Sequence, residues 1–248
     1  MHKGNKIFVL GAILLSILFS SCAGLQNGLF NFAHSSNELI VIGVSNRQRK
    51  REDEIQNAVN DAAAKIALYY GVDAKIFIAA TNGTGFWDYS MDTDSLFKFD
   101  TEYEKYVDGL RYDTSKDSVS IDGAFLLKVC YKVSNPVPAK RHYKMIEERP
   151  QWIRKPPDKI GGFLTGIGYA RPQQKLTDTI LKAYQNSIAS IVRRLSTKAF
   201  SRITTIDSNV FSQDIQISEG SIVEFFAYEI WRDPKTNGVW ILALAKEK

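Results

Sequence analysis

The sequence predicts an α+β fold of two tandem repeats, each an amphipathic helix packed on a small antiparallel sheet. Three observations predict it. Sliding the chain on itself by 125 positions gives a run of identities, a helical period follows a short apolar strand in each half, and turn-forming residues separate apolar strands towards the end of each half.

In the ungapped register, Ile42-Gly43 falls on Ile167-Gly168. Asp53 then meets Asp178, Ile55 meets Ile180, Ala58 meets Ala183, Ala64 meets Ala189 and Ile66 meets Ile191. Ala74 with Ala199, Ile78 with Ile203 and Phe86 with Phe211 extend the match. Each copy opens on an apolar strand, Leu39 to Ser45 in the first and Phe163 to Ala170 in the second, and a polar turn leads into a helix. Ile55, Val59, Ala62, Ile66 and Tyr69 recur at three- and four-residue steps, as do Ile180, Tyr184, Ile188, Ile191 and Leu195. Both sets mark one apolar helix face. The second copy ends in a hairpin, Ile222 to Trp231 and Val239 to Ala245, around Asp233-Pro234-Lys235-Thr236-Asn237-Gly238. In the first copy a longer loop, Thr114 to Asp122, ends at Gly123 before the return strand Ala124 to Val133.

These limits place the first repeat at 38–133 and the second at 150–248, joined by a basic, proline-containing linker at 134–149. Residues 132–160 carry 8 basic and 3 acidic groups, so the basic excess of the chain sits mainly around the linker and is a weak argument for nucleic-acid binding. Pro150, Pro156 and Pro157 favour an extended, solvated connection. With 44% hydrophobic and 12% aromatic residues, the chain has the composition of an ordinary globular protein rather than a disordered one.

The N-terminus has a separate role. His2, Lys3 and Lys6 precede the apolar run Ile7 to Phe19, and small residues follow, which is the order of a secretory signal peptide. That run falls short of the roughly 20 residues a membrane-spanning helix needs. Phe19-Ser20-Ser21-Cys22 resembles a bacterial lipobox, with Phe19 and Ser21 departing from the preferred Leu and Gly or Ala. The resemblance implies a lipoprotein signal peptide at 1–21, acylation of Cys22 and a lipidated tether at 22–37. Cys130, the other cysteine, then has no disulfide partner and reads as a small apolar residue in a strand. Ala23 is not the aspartate that retains lipoproteins at the inner membrane in some bacteria, which favours the outer membrane.

A second resemblance lies in Pro150-Gln151-Trp152-Ile153-Arg154-Lys155-Pro156-Pro157 and the following Gly162-Phe163-Leu164-Thr165-Gly166-Ile167-Gly168-Tyr169-Ala170. This stretch resembles the Lpp-twenty family of bacterial outer-membrane lipoproteins, in which a Trp and a Pro-Pro pair lead into a Gly-x-Gly-x-Ala strand and an amphipathic helix. Trp152, Pro156, Pro157, Gly166, Gly168 and Ala170 occupy those places, and the resemblance covers about residues 150–248. The first copy keeps Gly43 but has Val41 and Ser45 in place of the other two strand positions, and it lacks the Trp-Pro-Pro lead-in. The family implies a helix on an antiparallel sheet and no catalytic mechanism.

Other chemistry is poorly supported. Gly166-Ile167-Gly168 lacks the third glycine of a dinucleotide fingerprint, since Arg171 stands there. Asp88, Asp92, Asp94 and Asp100 do not form an EF-hand, because Phe97 and Tyr103 occupy its glycine and glutamate positions. His34 lies in the tether and His142 in the linker, which leaves no base for a nucleophilic triad. Glu147-Glu148 reads as surface charge. No cofactor, metal or nucleic-acid partner is expected. The expected function is that of a non-enzymatic scaffold or binding module in the outer membrane, held to the lipid bilayer by acylated Cys22, with an envelope protein or peptidoglycan as partner. Two rivals stand beside it. One is glycan binding by Phe86-Trp87, Tyr103, Tyr106, Trp152, Tyr228 and Trp231, and the other is a cell-wall hydrolase using a carboxylate pair.

Overall fold

A computed structural model describes residues 37–83, 86–91, 97–99, 102–138, 143–144, 148–195, 197–206 and 209–248, with side chains outside 73–101, 139–147 and 196–219. The first part of the chain forms β1 (Glu38–Asn46), α1 (Arg51–Tyr70), β2 (Val72–Gly83), β3 (Phe86–Met91), β4 (Phe97–Phe99), α2 (Glu104–Val107), β5 (Leu110–Arg111), β6 (Ser118–Ile121) and β7 (Ala124–Lys132). There follow β8 (Tyr143–Lys144), α3 (Gln151–Arg154), β9 (Lys159–Ile160), β10 (Phe163–Ala170), α4 (Leu176–Leu195), β11 (Thr197–Ile206), β12 (Asn209–Arg232) and β13 (Val239–Glu247). Among the described residues no helix is long and apolar enough to cross a membrane.

The fold is α+β with two sheets, antiparallel except where the two residues of β8 run parallel to β12. The first sheet has the order β1-β7-β5, with β6 also on β7. β1 and β7 pair along their whole length, from Glu38 opposite Lys132 to Asn46 opposite Ala124. Where the sequence suggests one long loop before β7, Ser118–Ile121 instead forms β6 and turns back through Asp122 and Gly123, at φ 46° and 75°. Two successive positive φ values are what a two-residue hairpin turn requires, which is why Asp-Gly stands there.

The second sheet runs β3-β2-β12-β13-β10-β9, with β11 on β12 and β4 on β2. It is not a small sheet belonging to the second half alone. β2 follows α1 in sequence, yet it pairs with β12 from Val72 opposite Ile222 to Asn82 opposite Ser212. β12 is long enough to serve two partners, β2 along its first half and β13 along its second. The predicted hairpin β12/β13 is present, closed by the Asp233 amide donating to Gly238 O at 2.9 Å.

Each of the two 20-residue helices, α1 and α4, lies on the strand that precedes it. α1 begins with Glu52, Asp53 and Glu54, which suit the positive end of the helix, and its buried stripe is rich in Ala58, Ala62, Ala63 and Ala67. Small residues let the helix axis approach β1 closely. α4 buries Ile180, Tyr184, Ile188 and Ile191, the face its periodicity predicts. The two cores are not confined to the two halves. One joins α4 and Ile222, Ile241 and Ala243 to Ile42, Val44 and Leu126 of the first sheet. The other joins α1, Val41 and Leu127 to Phe226, Leu242 and Leu244 of the second. Each such aliphatic side chain contributes about 1.5–3 kcal/mol on burial, so the halves stabilise each other through these shared residues.

The connector is also more integrated than its composition predicts. Val137 is buried, the Asn135 side-chain amide donates to Glu224 Oε1 at 2.9 Å, and Arg149 lies over the Trp240 ring. Asn135, Val137 and Arg149 thus hold the described ends of this segment against the second sheet and its core.

Candidate functional site

The six motif residues fall at the junction of the connector, β10 and α4. Trp152 is buried in α3, which starts directly after Pro150. Pro156 and Pro157 bring the chain towards β9, and the Pro157 carbonyl accepts a hydrogen bond from the Thr165 hydroxyl. A Cβ on Gly166 would stand 2.7 Å from Ser187 O, and one on Gly168 would stand 1.9 Å from Ala183 O. Both glycines therefore serve close approach of the strand to α4, and Ala170 is buried at the end of the same strand.

The same helix faces carry polar groups that reach the backbone of β1 and β10. Among the described residues, β1 pairs only with β7. Lys65 Nζ donates to Ile42 O at 2.7 Å and to Asp61 Oδ2 at 2.6 Å, while Asp61 Oδ2 accepts the Val44 amide at 2.7 Å. On β10, beyond the two residues paired with β9, the Ile167 amide donates to Ser190 Oγ at 3.2 Å and Asn186 Nδ2 donates to Tyr169 O at 2.7 Å. In both places two helix side chains four residues apart satisfy strand groups that would otherwise lack partners. Lys65 and Asp61 belong to no sequence motif; a lysine within an apolar helix face is the available signal.

Asp61 and Lys65 also line a cleft of about 260 Å³ between α1 and α4, with Asn46, Asn57, Thr177 and Asp178. Thr177 Oγ1 donates to Asn46 Oδ1 across it at 2.7 Å. Asp61 and Asp178 are both carboxylates of this cleft, but Asp61 is committed to Lys65 and the Val44 amide.

A second cleft, about 400 Å³, opens where the β6–β7 turn, the β12–β13 turn and the start of α4 meet. Its charged groups are Asp122 and Arg232, and Arg232, the last residue of β12, has a side chain only 6% exposed. Nη2 donates to Asn237 Oδ1 at 2.8 Å and Nη1 forms an ion pair with the Asp122 carboxylate, while neither Nη1 nor Nε has a hydrogen-bond partner. Asn237, at φ 58°, is positioned by Asp233, whose backbone O accepts the Asn237 amide at 2.8 Å. Burial alone would raise the Asp233 carboxyl pKa, but bonds from Lys235 and Thr236 outweigh it and hold the carboxyl below its ordinary range. Across the cleft, the Gln173 amide donates to Thr179 Oγ1 at 2.9 Å, folding the lead-in of α4 back on its first turn.

The remaining candidates separate clearly. Of the aromatics considered for sugar stacking, Tyr106, Trp152, Tyr228 and Trp231 are buried in the core that contains α1, and Tyr103 packs against it. The side chains of Phe86 and Trp87 lie outside the described ones. Among the described residues Tyr70 and Tyr112 are exposed aromatics, and the Tyr70 ring is stacked on Tyr106 at 5.1 Å. Cys130 is a half-buried free thiol whose pKa burial pushes up. Glu148 is exposed. Cys22, His34, Asp92, Asp94, Asp100, His142 and Glu147 lie outside the described residues or side chains, and Asp88 is described only as part of the β3 backbone. Among the described residues no three His, Cys, Asp or Glu side chains are grouped to hold a metal ion. No family model matches the chain, and no curated protein or solved structure matches it significantly.

Proposed function

We propose that the chain is a non-enzymatic, lipid-anchored scaffold or binding module of the bacterial outer membrane, built from two tandem repeats related to the Lpp-twenty lipoproteins. The observation that carries the anchor is the order of charged start, apolar run and Phe19-Ser20-Ser21-Cys22. Each methylene buried in lipid contributes about 0.8 kcal/mol, and bacterial lipoproteins usually carry three chains, so Cys22 alone is enough for firm retention. The repeat reading is supported by Gly43 facing Ala58 and Gly168 facing Ala183, since both members of each pair are related by the same 125-residue step. A binding role is favoured over catalysis by polar clefts whose best-described charged groups, Lys65 with Asp61 and Arg232 with Asp122, are ion pairs rather than an acid and a base.

The test is growth with an alkyne-tagged fatty acid, followed by fractionation. The wild-type chain takes up label, loses residues 1–21 and sediments with outer membrane. Cys22→Ser is unlabelled and is either soluble or unprocessed. An unlabelled wild type, or equal labelling of Cys22→Ser, overturns the anchor.

A further inference from the structure

We propose that the Arg232 cleft is a binding site for an oxyanion, the carboxylate or phosphate group of an envelope molecule. The ligand class follows from the donors gathered there. A guanidinium has five N–H donors in a planar fork suited to carboxylate and phosphate oxygens. Asn237 takes one of these at 2.8 Å and Asp122 pairs with a second nitrogen, while Nε remains without an acceptor in a residue only 5% exposed. Buried donors are nearly always satisfied in folded proteins, and the residue that carries this orphan is part of the cleft lining, where a ligand oxygen would meet the guanidinium.

The second feature is the start of α4, whose residues Leu176 and Thr179 line the same cleft. The Thr179 amide makes the first bond of this 20-residue helix, to Lys175 O at 3.2 Å, so the amides of Leu176, Thr177 and Asp178 precede the intrahelical ladder, and the macrodipole places partial positive charge there. Gln174 adds a side-chain amide to the lining, while that of Gln173 already donates to Arg171 O at 3.1 Å. The cleft thus joins a buried cation to a helix N-terminus, with about 400 Å³ of space between its walls.

Asp122 is the native competitor. Its side chain is 55% exposed and sits on a turn, so it can rotate into water when a ligand oxygen takes its place. Lys65 in the other cleft differs, because Ile42 O and Asp61 already engage it and it caps a strand.

This proposal names the ligand class of the binding-module reading and does not depend on acylation of Cys22; a failure here leaves the labelling test of the anchor intact. The experiment is calorimetric titration of the full chain, in a non-ionic detergent, with inorganic phosphate and separately with acetate at constant ionic strength. Saturable one-to-one binding of either anion is expected, and the preferred anion tells a phosphate-bearing source from a carboxylate-bearing one. Arg232→Lys, which keeps the charge but loses the fork, should weaken binding at least tenfold. Asp122→Asn removes the competitor while keeping a residue that tolerates positive φ, and it should tighten binding several-fold. If Arg232→Lys fails to fold, Asp122→Asn decides. No saturable binding of either anion, unchanged affinity in Asp122→Asn, or full affinity in a folded Arg232→Lys overturns the proposal.

Discussion

Gly168 lies so close to Ala183 that a Cβ on the glycine would stand 1.9 Å from the alanine carbonyl oxygen, and Gly43 has the same relationship to Ala58 at 2.0 Å. In both cases the obstructing atom is helix backbone, which cannot move aside as a flexible side chain can. Helix and strand must separate to admit even a methyl group.

Gly168→Ala and Gly43→Ala should each destabilise the fold by about 3 kcal/mol, at the upper end of the usual overpacking penalty. For a chain of this size that corresponds to a Tm lower by roughly 10 °C. Gly71→Ala is the control, since a Cβ there meets nothing within 4 Å. A scanning-calorimetry Tm for Gly168→Ala within two degrees of wild type would show that the close approach is not structural.

Glu54 makes the acid limb of stability sensitive to one carboxylate. Burial pushes its pKa up, but the Gln48 amide, Arg51 and Arg47 outweigh burial and hold it below its ordinary value of 4.5. A group whose folded pKa is depressed contributes stability that is fully present above the unfolded pKa and is lost as pH falls through the folded one. Wild type should therefore lose stability below about pH 4.5 more steeply than Glu54→Gln. Urea midpoints measured from pH 6 to pH 3 provide the comparison, and parallel curves for the two proteins would rule this contribution out.

Much of this arrangement could be read locally. The helical periods of α1 and α4, the Asp233–Gly238 turn and the paired glycines each depend on residues close together in sequence, and all are present. The pairing of β2 with β12 joins Val72 to Ile222, and no local pattern specifies a partner that distant. Buried charge was invisible for the same reason. Arg232 reads as the end of a hairpin strand, and its burial depends on Asp122 and Asn237 arriving from two separate turns. Lys65 falls on a helix face whose strand partner is Ile42.

Cys130 offers a chemical readout of the same fold. It pairs with Ile40 in the β1/β7 ladder, is half-buried, and burial raises its thiol pKa. Because the thiolate is the reactive form, maleimide modification at pH 7.5 should be slow in the native protein and become rapid in 6 M guanidinium. Native modification as fast as the denatured rate would place the thiol in open solvent and contradict the strand assignment.

Lys65 provides the sharpest test of how the β1 edge is protected. Its ammonium is buried, yet it is held by Ile42 O and Asp61, and Asp61 in turn holds the Val44 amide. Lys65→Met keeps much of the apolar stem but removes the donor, leaving Ile42 O without its side-chain partner and Asp61 without its counter-ion. The expected loss is about 2–4 kcal/mol, between that of a single buried hydrogen bond and that of a broken buried ion pair. Ser190→Ala removes one neutral bond to the Ile167 amide and should cost about 1 kcal/mol. The asymmetry identifies the mechanism, because side chains that merely filled space would make the shape-conserving Lys65→Met the milder change. Amide exchange at Val44 should also accelerate in Lys65→Met, since an Asp61 carboxylate without its cation turns towards water and leaves the strand edge open.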